Sequence, residues 1–105
     1  MKLLFDQGTP APLRRHLPGH TVKTAYECGW SQLENGDLLQ TAESSGFEVL
    51  VTTDRNLKYQ QKLADRRIAI VALMSTSWPR IQSRIPEIQA VVNEIQPGDY
   101  VEQPI

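Results

Sequence analysis

The sequence predicts an α/β fold, a three-layer α/β/α sandwich in which a short, mainly parallel sheet lies between helices. Apolar, β-branched runs, which are typical of buried strands, alternate along the chain with segments of helical periodicity. The run 68–73 has six consecutive apolar residues, as expected for a parallel strand covered on both faces. The 105 residues contain no repeat and no Ser/Gly linker, so we expect one domain, with a core of about residues 1–95 and a tail over 96–105.

Strands are predicted where the apolar runs are bounded by turn residues. They cover, in order, residues 2–5, 20–24, 47–51 and 68–73. The segment from Asp99 to Ile105 is either a tail or a further short strand at the edge of the sheet.

Two short helical segments are predicted in the first third of the chain. Thr9-Pro10 begins the first of them, on which Leu13 and Leu17 share a face. A single turn of helix is expected at residues 25–28.

Longer helices follow. Asn35-Gly36-Asp37 opens a helix that ends at Gly46, its C-cap. A helical stretch is expected from Arg55 to about Ala64. Apolar residues spaced by three and four from Ile81 to Ile95 predict a long amphipathic helix, which Pro86 should kink or split.

Composition limits the classes of function. Eleven basic and twelve acidic residues give a net charge of −1, so nucleic-acid binding requires a local basic patch. The single cysteine, Cys28, excludes an internal disulfide and fits a reducing compartment. The apolar run 3–5 is too short for a signal peptide, and no stretch approaches a membrane span. We therefore expect a cytoplasmic protein with no membrane contact.

Three aspartates are predicted at the edge of the sheet where strands end and helices begin. Asp6 follows the first strand, Asp54 follows the third, and Asp37 lies in the first turn of a helix. Each has a structural explanation on its own. Asp54 can act as an N-cap, worth about 1 kcal/mol. Asp37 can complement the positive end of its helix, and Asp6 can accept bonds in an Asx turn.

Considered together, the three aspartates indicate a metal site. Carboxylates that converge on one edge repel each other unless a divalent cation neutralises them. Mg²⁺ and Mn²⁺ prefer oxygen ligands, and such an ion polarises a phosphodiester and lowers the pKa of a bound water. The competing hypothesis is therefore that Asp6, Asp37 and Asp54 bind Mg²⁺ or Mn²⁺.

Three segments resemble small PIN-like domains of bacteria: Leu3-Leu4-Phe5-Asp6-Gln7, residues 35–39 and residues 51–57. The resemblance covers about residues 1–95. It implies an α/β/α nuclease, in most cases a ribonuclease, and it implies the toxin component of a toxin–antitoxin pair that a small antitoxin protein restrains. A homodimer is the family expectation.

The resemblance also implies roles for individual residues. Asp6, Asp37 and Asp54 match the catalytic metal ligands, and Thr52 matches a hydroxyl that binds water or a phosphate oxygen. Larger PIN domains carry a further glutamate between the first two of these aspartates. The present chain is shortened there, and neither Glu27 nor Glu34 is a secure counterpart.

Basic residues near the aspartates have two interpretations. Arg55 and Lys58 follow Asp54, whereas Arg14 and Arg15 lie on the helix after Asp6. They either bind the phosphate backbone of RNA at the acidic edge or form solvated helix faces.

Weaker features are expected to be structural. His16 and His20 have the spacing of a helical metal pair, but Pro18-Gly19 between them argues against a joint site. Trp30 and Trp78 are expected at the rim of the core rather than at a partner interface.

Three hypotheses about function follow. The first is a Mg²⁺- or Mn²⁺-dependent endoribonuclease toxin that cleaves single-stranded or structured RNA, with Thr52, Arg55 and Arg14 contacting the substrate. The second is a catalytically degenerate PIN-like module that acts through protein contacts. The third is a receiver-like phospho-acceptor domain, which is disfavoured because no lysine follows the strand 68–73.

Overall fold

The computed structural model describes residues 1–57 and 66–105. The described strands are Lys2–Phe5 (β1), Thr21–Thr24 (β2), Val49–Thr52 (β3), Ala69–Leu73 (β4) and Tyr100–Gln103 (β5). The described helices are the 3-10 helix Ala11–His16 and the α-helices Asn35–Ser44 (α1), Trp78–Gln82 (α2) and Ile85–Glu94 (α3). The helical stretch predicted from Arg55 to about Ala64 lies largely outside the described residues.

All five strands form one parallel sheet in the order β2-β1-β3-β4-β5. Leu4 pairs with Lys23 on one side and with Leu50 on the other, so β1 lies between β2 and β3. The chain moves outward from β1 to β2 and then returns to the other side of β1 to form β3. The order therefore reverses between β1 and β3, and open α/β sheets bind ligands at the carboxyl ends of the strands beside such a switch point.

Neighbouring residues of a strand point to opposite faces of the sheet. Helices cover both of these faces. On one face, strand residues pack against the 3-10 helix, α2 and α3: Leu3, Phe5, Val51 and Val71 with Leu13, Ile81, Ile88 and Val92. On the other face, they pack against α1: Leu4, Leu50 and Ile70 with Leu38, Leu39 and Ala42. The sheet is the middle layer of three, and the predicted α/β/α class is confirmed.

The first helix is tighter than an α-helix. The amide of Leu13 donates to the carbonyl of Pro10 at 3.1 Å, and the amide of Leu17 donates to that of Arg14 at 3.2 Å. These bonds span three residues, which is the 3-10 pattern. Leu13 and Leu17 both join the core cluster under this helix, as their spacing predicts.

The C-terminal region settles two alternatives left by the sequence. The predicted long helix is split, with α2 ending at Gln82 and α3 beginning at Ile85. Pro86 lies in the first turn of α3, where its missing amide hydrogen costs no helical bond. Tyr100–Gln103 pairs with β4 as an edge strand, so the sheet extends past the predicted core of residues 1–95.

None of the described helices is long and apolar enough to cross a membrane.

Candidate functional site

Asp6 lies at the carboxyl end of β1, directly beside the end of β3. Its amide donates to the carbonyl of Val51 at 3.2 Å, which extends the pairing of the two strands by one residue. The side chain is half-buried. The hydroxyl of Thr52 donates to Oδ2 of Asp6, and the hydroxyl of Thr9 lies 2.8 Å from Oδ1. Because Thr9 and Thr52 are 5% and 1% exposed, both hydroxyls are fixed by the core.

Partial burial raises the pKa of Asp6 above its ordinary value of 3.8. Hydrogen bonds from the side chains of Thr52 and Thr9, and from the amides of Thr9 and Gly8, act in the opposite direction. These bonds are those expected for an Asx turn, but they do not offset the cost of removing the charge from water. Without a nearby cation, the ionised carboxylate is therefore destabilised in the folded protein.

The hydroxyl of Thr9 makes two alternative bonds. Its oxygen is 2.8 Å from Oδ1 of Asp6 and 2.8 Å from the carbonyl of Val51, but a hydroxyl has a single proton. When Asp6 is ionised, Thr9 can donate to it. When Oδ1 of Asp6 carries a proton, its O–H can donate a hydrogen bond to Thr9, and Thr9 can donate to the carbonyl of Val51 instead. The pair accommodates both protonation states of Asp6.

Thr52 connects Asp6 to the segment that follows β3. Its hydroxyl donates to Asp6 and accepts from the amide of Asp54 at 3.0 Å. These contacts make Thr52 the residue that orients Asp6. Direct contact between Thr52 and a substrate stays a prediction.

Asp54 accepts a backbone hydrogen bond in the turn that follows β3. It is half-buried, and its Oδ1 accepts from the amide of Asn56 at 2.9 Å. A carboxylate offers about four acceptor positions, so this bond is compatible with metal binding. The assignment of Asp54 as a metal ligand stays a prediction.

Asp37 is exposed in the first turn of α1, where it complements the positive end of the helix. Its neighbour Leu38 lines a pocket of about 160 Å³ together with Asp6, which places the start of α1 beside Asp6. In residues 1–57 and 66–105, however, no group of three or more His, Cys, Asp or Glu side chains is arranged to hold a metal ion. The structure does not bring the three predicted ligands together as a formed metal centre.

Gly8 allows the loop after β1 to approach the residue after Thr52. A Cβ atom at position 8 would clash with Oγ1 of Thr53 and would lie 3.8 Å from Oδ1 of Asp6. Glycine at this position avoids a contact that an added Cβ would make with the hydroxyl of Thr53.

A groove of about 680 Å³ lies on the β2 side of Asp6. Its charged lining residues are Asp6, Arg14 and Glu27, and we call it the acidic groove. Arg14 lies 2.9 Å from Oε1 of Glu27. This hydrogen-bonded pair, with the amide of Thr24, lowers the pKa of Glu27 to about 2. Arg14 lies at the predicted edge of the sheet, where its charge is paired with that of Glu27. Contact between Arg14 and phosphate stays a prediction.

The turn after β2 presents an aromatic side chain that the sequence analysis missed. The amide of Glu27 donates to the hydroxyl of Thr24 at 3.1 Å, and the amide of Thr24 donates to Glu27 at 2.9 Å. This reciprocal pattern is a capping box, for which Thr24-x-x-Glu27 was the readable signal. It closes a turn where one turn of helix was expected at 25–28, and it leaves Tyr26 78% exposed beside the acidic groove.

A second groove, of about 590 Å³, lies at the carboxyl ends of β3, β4 and β5. Its polar lining residues are Thr53, Arg55, Ser75, Thr76 and Arg80, and we call it the arginine groove. Arg55 was predicted at this edge. Arg80 was missed because the sequence does not show that α2 returns to the end of β3.

His16 and His20, which were not expected to form a joint metal site, make separate contacts. His20 contacts Asn93 through Nε2 at 2.7 Å, whereas the ring of His16 lies 5.9 Å from that of Trp78. Trp30 packs against the ring of Phe47 at 5.7 Å between centroids. Both tryptophans lie at the rim of the core, as predicted.

The chain matches no family model, no curated protein and no solved structure. The resemblance to PIN-like domains therefore stays a prediction.

Replacing Asp6 with Asn should raise the free energy of unfolding at neutral pH in metal-free buffer. The stability contributed by the protonated carboxyl is fully present below about pH 3.8 and is lost as the pH rises through the raised pKa of Asp6. Asn carries no charge and can bond to both threonines, so it avoids that loss. Urea unfolding at pH 7 in EDTA measures the difference, and exposed Asp99→Asn is the control. A less stable Asp6→Asn protein would contradict this account.

Replacing Gly8 with Ala should destabilise the fold by about 1–3 kcal/mol, as overpacking usually does. The cost should fall when Thr53 is also replaced by Ala, because the clashing hydroxyl is then absent. A double-mutant cycle measured by urea unfolding gives the coupling, expected at about 0.5–3 kcal/mol. Additive effects would show that the two residues do not press on each other.

Proposed function

We propose that this protein is a metal-dependent endoribonuclease that binds Mg²⁺ or Mn²⁺ at the carboxyl edge of the sheet and hydrolyses RNA phosphodiesters. The observation that carries the proposal is the environment of Asp6. This half-buried carboxylate is fixed between the hydroxyls of Thr9 and Thr52, at the switch point of the sheet.

The energetic position of Asp6 supports a functional role. A purely structural acceptor at this point would be served by Asn, which carries no charge to bury. Asp6 instead keeps a carboxylate whose ionised form is disfavoured by burial, and a bound cation would compensate for that cost. Burial alone raises the pKa of this carboxyl, and a cation bound at Asp6 would lower it.

The available donor atoms fit a hard divalent cation. Asp6 and Asp54 offer carboxylate oxygens, and Asp37 offers another from the start of α1. Oxygen donors of this kind suit Mg²⁺ and Mn²⁺. When bound, such an ion polarises a phosphodiester and activates a water for attack. The protein residues position this chemistry: Thr9 and Thr52 orient Asp6, and Thr52 also anchors the amide of Asp54.

RNA as the substrate, and a small antitoxin as the partner, come from the resemblance to PIN-like toxins. The structure is compatible with this proposal because a groove lies on each side of Asp6, one containing Arg14 and the other Arg55. A homodimer belongs to the same proposal.

A second candidate is a catalytically degenerate PIN-like module that acts through protein contacts. It is favoured by the lack of a three-carboxylate group in the part of the chain that the structure describes. Glu27 lines the acidic groove with Asp6, but its carboxylate is bonded to Arg14 and to the amide of Thr24. This candidate requires that no divalent ion supports RNA cleavage.

The melting temperature with and without Mn²⁺ tests the metal site. Mn²⁺ at 100 times its dissociation constant should stabilise the wild type by about 2.7 kcal/mol. Asp54→Asn should remove most of that gain and should abolish cleavage of single-stranded RNA. The substitution retains an oxygen that can accept the amide of Asn56, so this backbone hydrogen bond is kept.

Asp99→Asn is the matched control, because Asp99 also accepts a backbone amide, that of Gln96 at 2.9 Å. It precedes β5 and so lies at the opposite edge of the sheet. This variant should respond to Mn²⁺ and cleave RNA like the wild type. Undiminished cleavage by Asp54→Asn would contradict the ribonuclease proposal, whereas a wild type that neither binds Mn²⁺ nor cleaves RNA would favour the degenerate module.

A further inference from the structure

We infer that the arginine groove binds a phosphate group of the RNA strand, with Arg80 as a substrate-binding residue beside Arg55. The inference rests on the proposed function only for the identity of the ligand. The groove itself is defined by geometry, since it joins residues from the ends of three neighbouring strands.

The charge of the groove favours an anion. Arg55 and Arg80 both line it and are both exposed, and none of its described lining residues is acidic. In the described part of the chain, neither guanidinium forms a hydrogen bond or an ion pair. By contrast, Arg14 is paired with Glu27 and Arg84 lies 3.7 Å from Glu87. Arginine presents several fixed donors that match phosphate oxygens, so two unpaired guanidiniums in one groove suit a phosphate.

Hydroxyl groups add neutral donors to the same groove. The oxygen of Ser75 accepts the amide of Ser77 at 3.1 Å, which orients the hydroxyl and leaves its proton to donate elsewhere. Thr53 and Thr76 also line the groove. The segment after β4 is anchored, because the amide of Met74 donates to the carbonyl of Gln103 at 3.0 Å. Ser75 and Thr76 therefore follow a strand end that is anchored to β5.

The groove adjoins the proposed reaction centre without overlapping it. Thr53 lines the groove and directly follows Thr52, which bonds to Asp6. A phosphate bound by Arg55 and Arg80 would thus neighbour the phosphate at Asp6 along the strand. The acidic groove on the other side carries Asp6, Arg14 and Glu27, two negative charges against one positive. The edge is polarised, with its negative side suited to a cation and its positive side to the RNA backbone.

The arginine groove also provides the local basic patch that a chain without net positive charge needs to bind nucleic acid. A chain with net charge −1 has no global attraction for nucleic acid, so binding requires a basic patch. The arginine groove supplies such a patch next to Asp6.

Equilibrium binding of a fluorescein-labelled 12-nucleotide oligouridylate, measured by anisotropy in EDTA, tests the inference without cleavage. Arg80→Gln and Arg55→Gln should each weaken binding roughly tenfold, as expected for a lost bond to a charged group. Each should also reduce the slope of log affinity against log salt by about 0.7, the value for one phosphate on a single strand. Arg80→Lys should fall between Arg80→Gln and the wild type, since it keeps the charge but loses the fork of donors.

Arg67→Gln is the control, because Arg67 is an exposed arginine just before β4, at the opposite edge of the sheet. It should leave the affinity and the salt slope unchanged. Unaltered melting temperatures will show that the exposed substitutions do not unfold the protein. Equal binding by Arg80→Gln and Arg67→Gln, or no binding of the oligouridylate by wild type at low salt, would overturn the inference. Arg80-dependent binding without Mn²⁺-stimulated cleavage would uphold the groove and refute the ribonuclease proposal.

Discussion

The pairing of β1 with β3 places the half-buried carboxylate of Asp6 between two threonine hydroxyls, and the rest of the edge is arranged around that contact. The hydroxyl of Thr52 donates to Asp6 and accepts the amide of Asp54, so it connects the two aspartates. Gly8 lets the loop after β1 lie against Thr53. Burial makes the charge on Asp6 costly, and a cation would offset that cost.

The strand order β2-β1-β3-β4-β5 gives this edge its polarity. The ends of β2 and β1 form the acidic groove, whereas the ends of β3, β4 and β5 form the arginine groove. Under the proposed function, the first groove would adjoin the cation and the second would bind a neighbouring phosphate of the RNA. The same order also occurs in receiver-like folds, so topology alone does not distinguish the hypotheses and the side chains at the edge must do so.

Most of the fold follows from local patterns, because buried strands and amphipathic helices are visible in the order of apolar residues. The position of Asp6 was likewise predictable from the strand it follows. The bond from Thr52 was not: Thr52 was expected to contact water or substrate, and its bond to Asp6 depends on the pairing of β1 with β3. Arg80 escaped prediction for a related reason: it lines the same groove as Arg55 only because the tertiary fold brings α2 to the ends of these strands. Pairwise contacts over long separations leave no periodic trace in the sequence.

The central claim is that a divalent cation binds at Asp6. Paramagnetic broadening of amide NMR signals by substoichiometric Mn²⁺ tests it most directly, because the broadening reports distance from the ion. We expect the amides of Gly8 and Asp54 to broaden first, while those of Gly46 and Gly98 at the opposite edge stay sharp. Uniform broadening, or broadening centred on Gly46 and Gly98, would contradict the claim.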